Sequence, residues 1–293
     1  QTAKIMVAFE EVCQKDRPDI VLVVGDVNST LACAIVAKKM EIKVAHVEAG
    51  LRSFDRTMPE EINRLVTDAI TDYFFATEPS AVENLRKEGQ PADKVFFVGH
   101  VMVDNLLYQA NLLNRLPKDQ TAYDLTLSTG IKQQYDRYAV LTMHRSANVD
   151  CPDVLSEILR AIEEIAKDIP VIFPVHPRTR QSIERFNIKL SDQIVCLPPL
   201  AYMDFLNLWK DAQLILTDSG GLQEETTALA VPCLTLRENT ERPVTIKEGT
   251  NRLVGRDFNA IIQAAQESLL QNKRVQENKR PQFWDGQAAT RIV

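Results

Sequence analysis

Two Rossmann-like, doubly wound parallel-sheet domains of the α/β class are predicted by three features of this chain. Short β-branched runs alternate with helical patterns along its whole length. The runs are almost continuously apolar, as strands covered on both faces must be. A chain of 293 residues is also long for a single core.

Taken in order, the predicted strands of the first domain are Ile20–Gly25, Lys43–Val47, Tyr73–Thr77 and Lys94–Val98. Those of the second are Tyr138–Thr142, Val171–Val175, Ile194–Leu197, Leu214–Leu216, Pro232–Leu236 and Arg252–Val254. Amphipathic stretches such as Ala3–Gln14, Thr30–Met40, Val154–Lys167 and Ile261–Gln271 supply helices between them. The polar segment Leu113–Arg137, with Pro117 and Gly130, reads as a join. The expected organisation is a first domain over residues 1–104, a second over 105–276, and a C-terminal helix over 277–293 that packs back on the first. A cleft is expected between the two domains.

The first set of strands is short. In a sheet ordered 3-2-1-4-5-6, strand 4 lies beside strand 1 in the centre. If Ile20–Gly25 is strand 4, it becomes an exposed apolar edge, which proteins avoid. The sequence therefore predicts an incomplete first domain, lacking an opening β-α-β-α-β portion, and a 1–293 chain that is inactive and poorly soluble by itself.

Composition narrows the partners. A net charge of −6 disfavours nucleic acid or an anionic membrane as the main partner. No apolar run reaches the ~18 residues of a membrane helix, and no signal-peptide layout opens the chain. Five scattered cysteines without a CxxC pair argue against disulfides and structural zinc. A cytoplasmic protein is expected.

The chemistry is concentrated at strand ends, where open α/β sheets bind ligands. The stretch Leu214–Ala228 is the most informative: an apolar strand runs into Asp218-Ser219-Gly220-Gly221, then a helix with Glu224 and Glu225. Glycines admit close backbone approach, free N–H groups point outward, and the helix dipole favours an anion. Carboxylates one turn later suit sugar hydroxyls, so turn and glutamates together describe a nucleotide. Elsewhere, strand ends carry Gly25-Asp26 with Ser29 or Thr30 as N-cap, His46-Val47-Glu48, Pro59-Glu60-Glu61 with Asn63-Arg64, His144-Arg145, His176-Pro177-Arg178, and Glu241-Arg242. Each has a plain structural reading. Asp26 could cap a turn, Glu48 could be a buried ion-pair partner, and Glu60 could be the favourable anion of a first helical turn. His46 reads as a satisfied core histidine. Three carboxylates, two further histidines and several arginines at strand ends are nonetheless more than folding requires.

The motifs G-D-V-N-S-T (25–30), H-V-E-A-G-L-R-S (46–53), P-E-E-I-N-R (59–64), T-M-H-R (142–145), T-D-S-G-G-L-Q-E-E (217–225) and T-E-R-P (240–243), together with the closing D-G-Q-A-A-T-R-I (285–292), strongly resemble the non-hydrolysing UDP-N-acetylglucosamine 2-epimerases. The resemblance implies a GT-B-like pair of domains, C2 epimerisation between UDP-GlcNAc and UDP-ManNAc through loss and re-addition of UDP, and no cofactor or metal. It implies catalytic roles for Asp26, Glu48, Glu60 and His144. It also implies substrate binding by Arg64, Arg145, His176, Arg178, Ser219, Gly220, Gly221, Glu225 and Arg242, in a homodimer. Three motifs depart from the family pattern: H-R-S-A-N carries Ala147 in place of an acid, Gly99-His100 stands for G-N, and V-H-P-R replaces V-H-x-N-P, which puts allosteric activation by a second UDP-GlcNAc in doubt. The alternatives are a GT-B glycosyltransferase and a non-catalytic UDP-sugar-binding protein.

Overall fold

The computed structural model describes residues 1–115, 123–270 and 280–293. Pro117, Gln271 and the expected boundary near residue 276 lie outside them. The chain divides into two compact units, Gln1–Asp104 with Gln282–Val293, and Asn105–Pro281.

Unit 1 contains α1 (Thr2–Lys15), β1 (Ile20–Val24), α2 (Asn28–Lys39), β2 (Lys43–Ala49), α3 (Pro59–Ile70), β3 (Tyr73–Ala76), α4 (Pro79–Lys87) and β4 (Val95–Phe97), then the first turn of α5 (Val101–Arg115). Its parallel strands run in the order β1-β2-β3-β4. Every residue of β2 after Lys43 is buried, as a central parallel strand requires. Burial alternates along β1, which ends the sheet among the described residues and exposes Ile20, Leu22 and Val24. The residues after Gln282 pack within this unit: Trp284 is buried and donates from Nε1 to the Thr77 carbonyl at 3.3 Å, and Asp104 accepts the Ala289 amide at 2.7 Å.

Unit 2 continues with α6 (Thr126–Gln134), β5 (Ala139–Thr142), α7 (Ser146–Val149), α8 (Pro152–Ala166), β6 (Val171–Pro174), α9 (Pro177–Arg185) and β7 (Ile194–Leu197). It is completed by α10 (Tyr202–Trp209), β8 (Leu214–Thr217), α11 (Gly220–Ala228), β9 (Cys233–Thr235), α12 (Pro243–Lys247), β10 (Asn251–Leu253) and α13 (Phe258–Leu270). The sheet order β10-β9-β8-β5-β6-β7 is the doubly wound 6-5-4-1-2-3 arrangement, which places the exits of β5 and β8 side by side at the switch point. The core explains why. β5 and β8 are almost wholly buried, and α8 lays Leu155, Ile158, Leu159, Ile162 and Ile165 against the sheet at helical spacing.

Two expectations change. The segment read as a join contains α6, which belongs to unit 2: the Ser128 amide donates to Asp204 Oδ1 at 3.0 Å, and Asn207 donates to Ser128 Oγ at 2.8 Å. The polarity of α6 reflects an exposed helix face. Neither Ser29 nor Thr30 caps α2, which begins at Asn28 after Val27. Thr30 is buried, and its hydroxyl donates to the Val24 carbonyl at 2.6 Å, tying the helix to the strand before it. All five cysteines are free thiols.

Candidate active site

In unit 1 the carboxyl ends of β1 and β2 gather the acidic residues. β1 leads into Gly25, whose φ of +69° turns the chain in a conformation that favours glycine, and Asp26 follows. Arg64 on α3 is almost fully buried, and its guanidinium binds the Asp26 carboxylate on one side and Glu61 on the other. Asn63 donates to the Asp26 carbonyl at 2.8 Å. Asp26 and Glu60 line one cavity of about 490 Å³ together with Asn28, Ser29, Pro59 and Asn63.

Glu48 owes its placement to an irregularity. The pairing of β2 with β3 shifts register between Val47 and Ala49, and Glu48 sits at the bulge with φ +71°. A non-glycine residue in that region costs on the order of 1–3 kcal/mol, which the surrounding sheet must offset. The bulge re-aims the side chain, so that one Glu48 carboxylate oxygen lies 3.9 Å from where a Cβ on Gly25 would stand. The carboxyl end of β1 and the re-aimed glutamate thus face the same turn.

Proline at the first position of α3 puts Glu60 and Glu61 in its first turn, where the helix dipole favours both. They diverge from there. Glu60 is exposed, whereas Glu61 is buried and accepts the Ser53 and Phe54 amides at 2.9 and 3.0 Å. Burial opposes ionisation of Glu61, but those amides and Arg64 outweigh it and hold its carboxyl below the usual range. Glu61 therefore shapes the loop that precedes the helix.

In unit 2 the adjacent exits of β5 and β8 are organised by Asp218, which is wholly buried. Its carboxylate accepts the His144 amide at 3.1 Å, the Arg145 amide at 2.9 Å and Asn148 Nδ2 at 3.2 Å, with His144 Nδ1 also 3.1 Å away. His144 stands over His176 with ring centroids 5.7 Å apart. His176 caps α9 by accepting the Arg178 amide at 3.2 Å, and Arg178 itself reaches Asp150 from Nε at 2.9 Å on the exposed surface.

Ser219 precedes α11, and Gly220 opens it. A Cβ on Gly220 would fall 2.8 Å from Glu241 Oε1 and 3.8 Å from an Arg145 nitrogen, whereas one on Gly221 would meet open space. Glycine is thus needed at 220 for close approach, and what approaches in this structure is the Glu241 carboxylate. Glu241 also binds Arg237 at 2.9 Å; burial opposes its ionisation, but Arg237 and Arg242 hold its pKa down at about 2. Arg242 Nε lies 2.6 Å from the buried Glu224. Glu225 accepts from the Tyr202 hydroxyl at 3.0 Å, and burial, with Glu224 next to it, pushes its pKa up to about 7.

Every sequence-predicted site residue therefore lies at a strand end, in the turn after it or in the helix that follows, with Arg64 and Glu225 in the middle of theirs. Asp26, Glu48, Glu60 and Arg64 gather in unit 1. In unit 2 the structure brings His144 to His176 and Arg145 to Gly220 through Glu241, while Arg178 pairs with Asp150 on the surface and Glu225 with Tyr202. Sequence reasoning missed Glu61, Asp218 and Glu241 as organisers. Local signals existed for all three: Asp218 abuts the glycine turn, Glu61 stands one helical turn before Arg64, and Glu241 four residues after Arg237. The partners of Asp218 are the distant ones. Among the described residues no group of histidine, cysteine, aspartate and glutamate could hold a metal ion.

The family model described as UDP-N-acetylglucosamine 2-epimerase matches residues 1–293. A UDP-N-acetylglucosamine 2-epimerase of Methanocaldococcus jannaschii is 44% identical over all of this chain and 79% of its own length. A UDP-2,3-diacetamido-2,3-dideoxy-D-glucuronate 2-epimerase of Pseudomonas aeruginosa is 40% identical, over all of this chain and 78% of its own. The crystal structure of the M. jannaschii UDP-GlcNAc 2-epimerase in complex with UDP-GlcNAc and UDP superposes with a TM-score of 0.83 at 42% identity, covering 99% of this chain and 80% of that one. The fold is of the GT-B-like α/β class. The chain belongs to the UDP-N-acetylglucosamine 2-epimerase family.

Proposed function

We propose that the protein interconverts UDP-GlcNAc and UDP-ManNAc by inverting C2 of the sugar. Family membership supports the reaction, and the observation that carries the chemistry is the set Asp26, Glu48 and Glu60 around the β1 and β2 exits of unit 1. Inversion requires a proton to leave one face of C2 and another to arrive at the opposite face, so acid/base groups are needed on both. A carboxylate takes the C2 proton; its electron pair forms the C1=C2 bond while the C1–O bond breaks and UDP leaves with that bond's electrons. The enol ether so formed, 2-acetamidoglucal, then takes a proton at C2 on its other face as UDP adds back to C1. Asp26, Glu48 and Glu60 are the acid/base candidates.

Unit 2 supplies the nucleotide-binding groups in this reading. The leaving diphosphate is stabilised by His144, Arg145, His176, Arg178, Ser219, Arg242 and the Gly220 and Gly221 amides, and Glu225 accepts from ribose hydroxyls. Arg64 holds Asp26. We also place the protein in the cytoplasm as a homodimer. The free cysteines support the first, and the exposed apolar residues Val7 and Val12 of α1 the second.

The test is incubation of full-length protein with UDP-GlcNAc in heavy water. Deuterium at C2 and UDP-ManNAc should appear without any acceptor. Sugar transfer, or UDP release without exchange at C2, would overturn the reading in favour of a transferase or a binding protein. The Pseudomonas relative makes its own UDP-diacetamido-glucuronate the second substrate to assay.

A further inference from the structure

His46 on β2 has no exposed surface and meets an acceptor on each ring nitrogen. Nε2 lies 2.9 Å from the Gly25 carbonyl oxygen, and a carbonyl only accepts, so Nε2 carries a hydrogen. Nδ1 lies 2.6 Å from Asp68 Oδ1. Asp68 Oδ2 already takes the Gly50 amide at 3.0 Å and the Arg52 guanidinium at 2.7 Å. The Arg52 guanidinium and the Gly50 amide on Oδ2 keep this carboxyl ionised, so Oδ1 too only accepts, and Nδ1 also carries a hydrogen. An imidazole with hydrogen on both nitrogens is an imidazolium.

The surrounding charges agree. Asp68 faces the ring from α3, and Glu48 lies two residues along β2. Arg52 is shared between Asp68 and Glu88, the latter at 2.6 Å, and Asp26 beyond Gly25 is paired with Arg64. With His46 protonated, the linked set His46, Asp68, Arg52 and Glu88 is neutral; with a neutral ring it would hold an uncompensated negative charge, which burial penalises. Burial by itself disfavours the charged ring, but the bond to Asp68 and its charge, then Gly25 and Glu48, raise the pKa on balance.

The Gly25 carbonyl belongs to the same peptide unit as the Asp26 nitrogen, and the Glu48 carboxylate faces Gly25. We propose that His46 is a constitutively protonated positioning residue, whose two ring N–H groups clamp the Gly25–Asp26 peptide to Asp68 of α3 and so hold Asp26 and Glu48 in place for proton transfer at C2. The roles of Asp26 and Glu48 rest on the function proposed above; the protonation of His46 does not.

Nitrogen-15 NMR of histidine-labelled full-length protein should show both ring N–H protons of His46 across about pH 6 to 9, although an ordinary histidine loses one near about 6.5. A single ring N–H at about pH 8 overturns the proposal. Asp68→Asn keeps the shape and an acceptor but deletes the charge. In that variant His46 should titrate within the same range, and kcat should gain a fall with rising pH that the wild type lacks, while KM for UDP-GlcNAc stays within about twofold. A pH-independent loss, or a change confined to KM, would mean that His46 only fills space and would overturn the positioning role. If Asp68→Asn does not fold, the wild-type spectrum decides. A wild type that epimerises nothing would defeat the function proposed above, whereas a neutral His46 in an active enzyme defeats this inference alone.

Discussion

At the β1 exit of unit 1 the accessible partner is an acid and the buried one a cation; at the β5 and β8 exits of unit 2 the buried partner is an acid and the accessible one an arginine or a histidine. The Arg64 side chain is 3% exposed against 30% for Asp26. Asp218 is 0% exposed against 39% for His144, and Glu241 is 8% against 38% for Arg145. In both units the partner held rigidly by the interior orients the group that faces outward. A buried ion tolerates few geometries, because losing its partner leaves a desolvated charge costing several kcal/mol. That penalty fixes the outer group more tightly than surface pairing could, since exposed pairs are worth under about 1 kcal/mol. The Arg178–Asp150 pair, exposed on both sides, shows what such a site lacks.

Breaking the arrangement in unit 1 should have the largest effect. Asp26→Asn, Glu48→Gln and Glu60→Gln remove acid/base groups without changing size, and each should lower kcat by about 10²-fold or more with UDP affinity little changed. Turnover close to wild type in all three would favour the binding-protein reading, and single-turnover assays with titration calorimetry would show which holds.

In unit 2 the expected loss is in binding. If Arg242 makes the charge-assisted phosphate contact proposed above, Arg242→Ala should weaken UDP by about 1.5–3 kcal/mol, measured by calorimetry. It also strips Glu224 of its guanidinium, so the double variant with Glu224→Gln should recover thermal stability but not affinity. Recovery of both would place Arg242 in folding only.

The smallest expected effect is a pH-dependent one at Glu225. Its folded pKa of about 7 lies above the ordinary carboxylate value, so the folded state binds the extra proton and stability falls as pH rises. The penalty is absent below about pH 4.5, develops from there to about 7, and is complete above. Glu225→Gln should therefore raise stability above about pH 7 by on the order of 1–2 kcal/mol after allowance for solvent contact, read as a higher Tm, and leave it unchanged near pH 4.5. An equal gain at both ends would mean that burial of Glu225 carries no charge penalty.

Much of this was readable in one dimension. Alternation of apolar runs with amphipathic stretches determined the α/β class, because strand and helix periods are local properties of the chain. Strand exits in parallel sheets all point one way, so the residues that follow each run were legible as site candidates before any packing was known. The glycines that open α11 and the proline that opens α3 likewise act within a few residues. Tertiary structure alone decided which glutamate of the 60–61 pair faces outward, that Glu48 sits at a bulge, that Glu241 lies against the start of α11, and that His46 is held between two acceptors. His46 looked like a satisfied core histidine, and it is satisfied, but only in its charged form. Its partners lie 21 and 22 residues away, and those of Asp218 70 to 74. No sequence period encodes such distances; they exist only once parallel strands have set side by side turns that the chain keeps far apart.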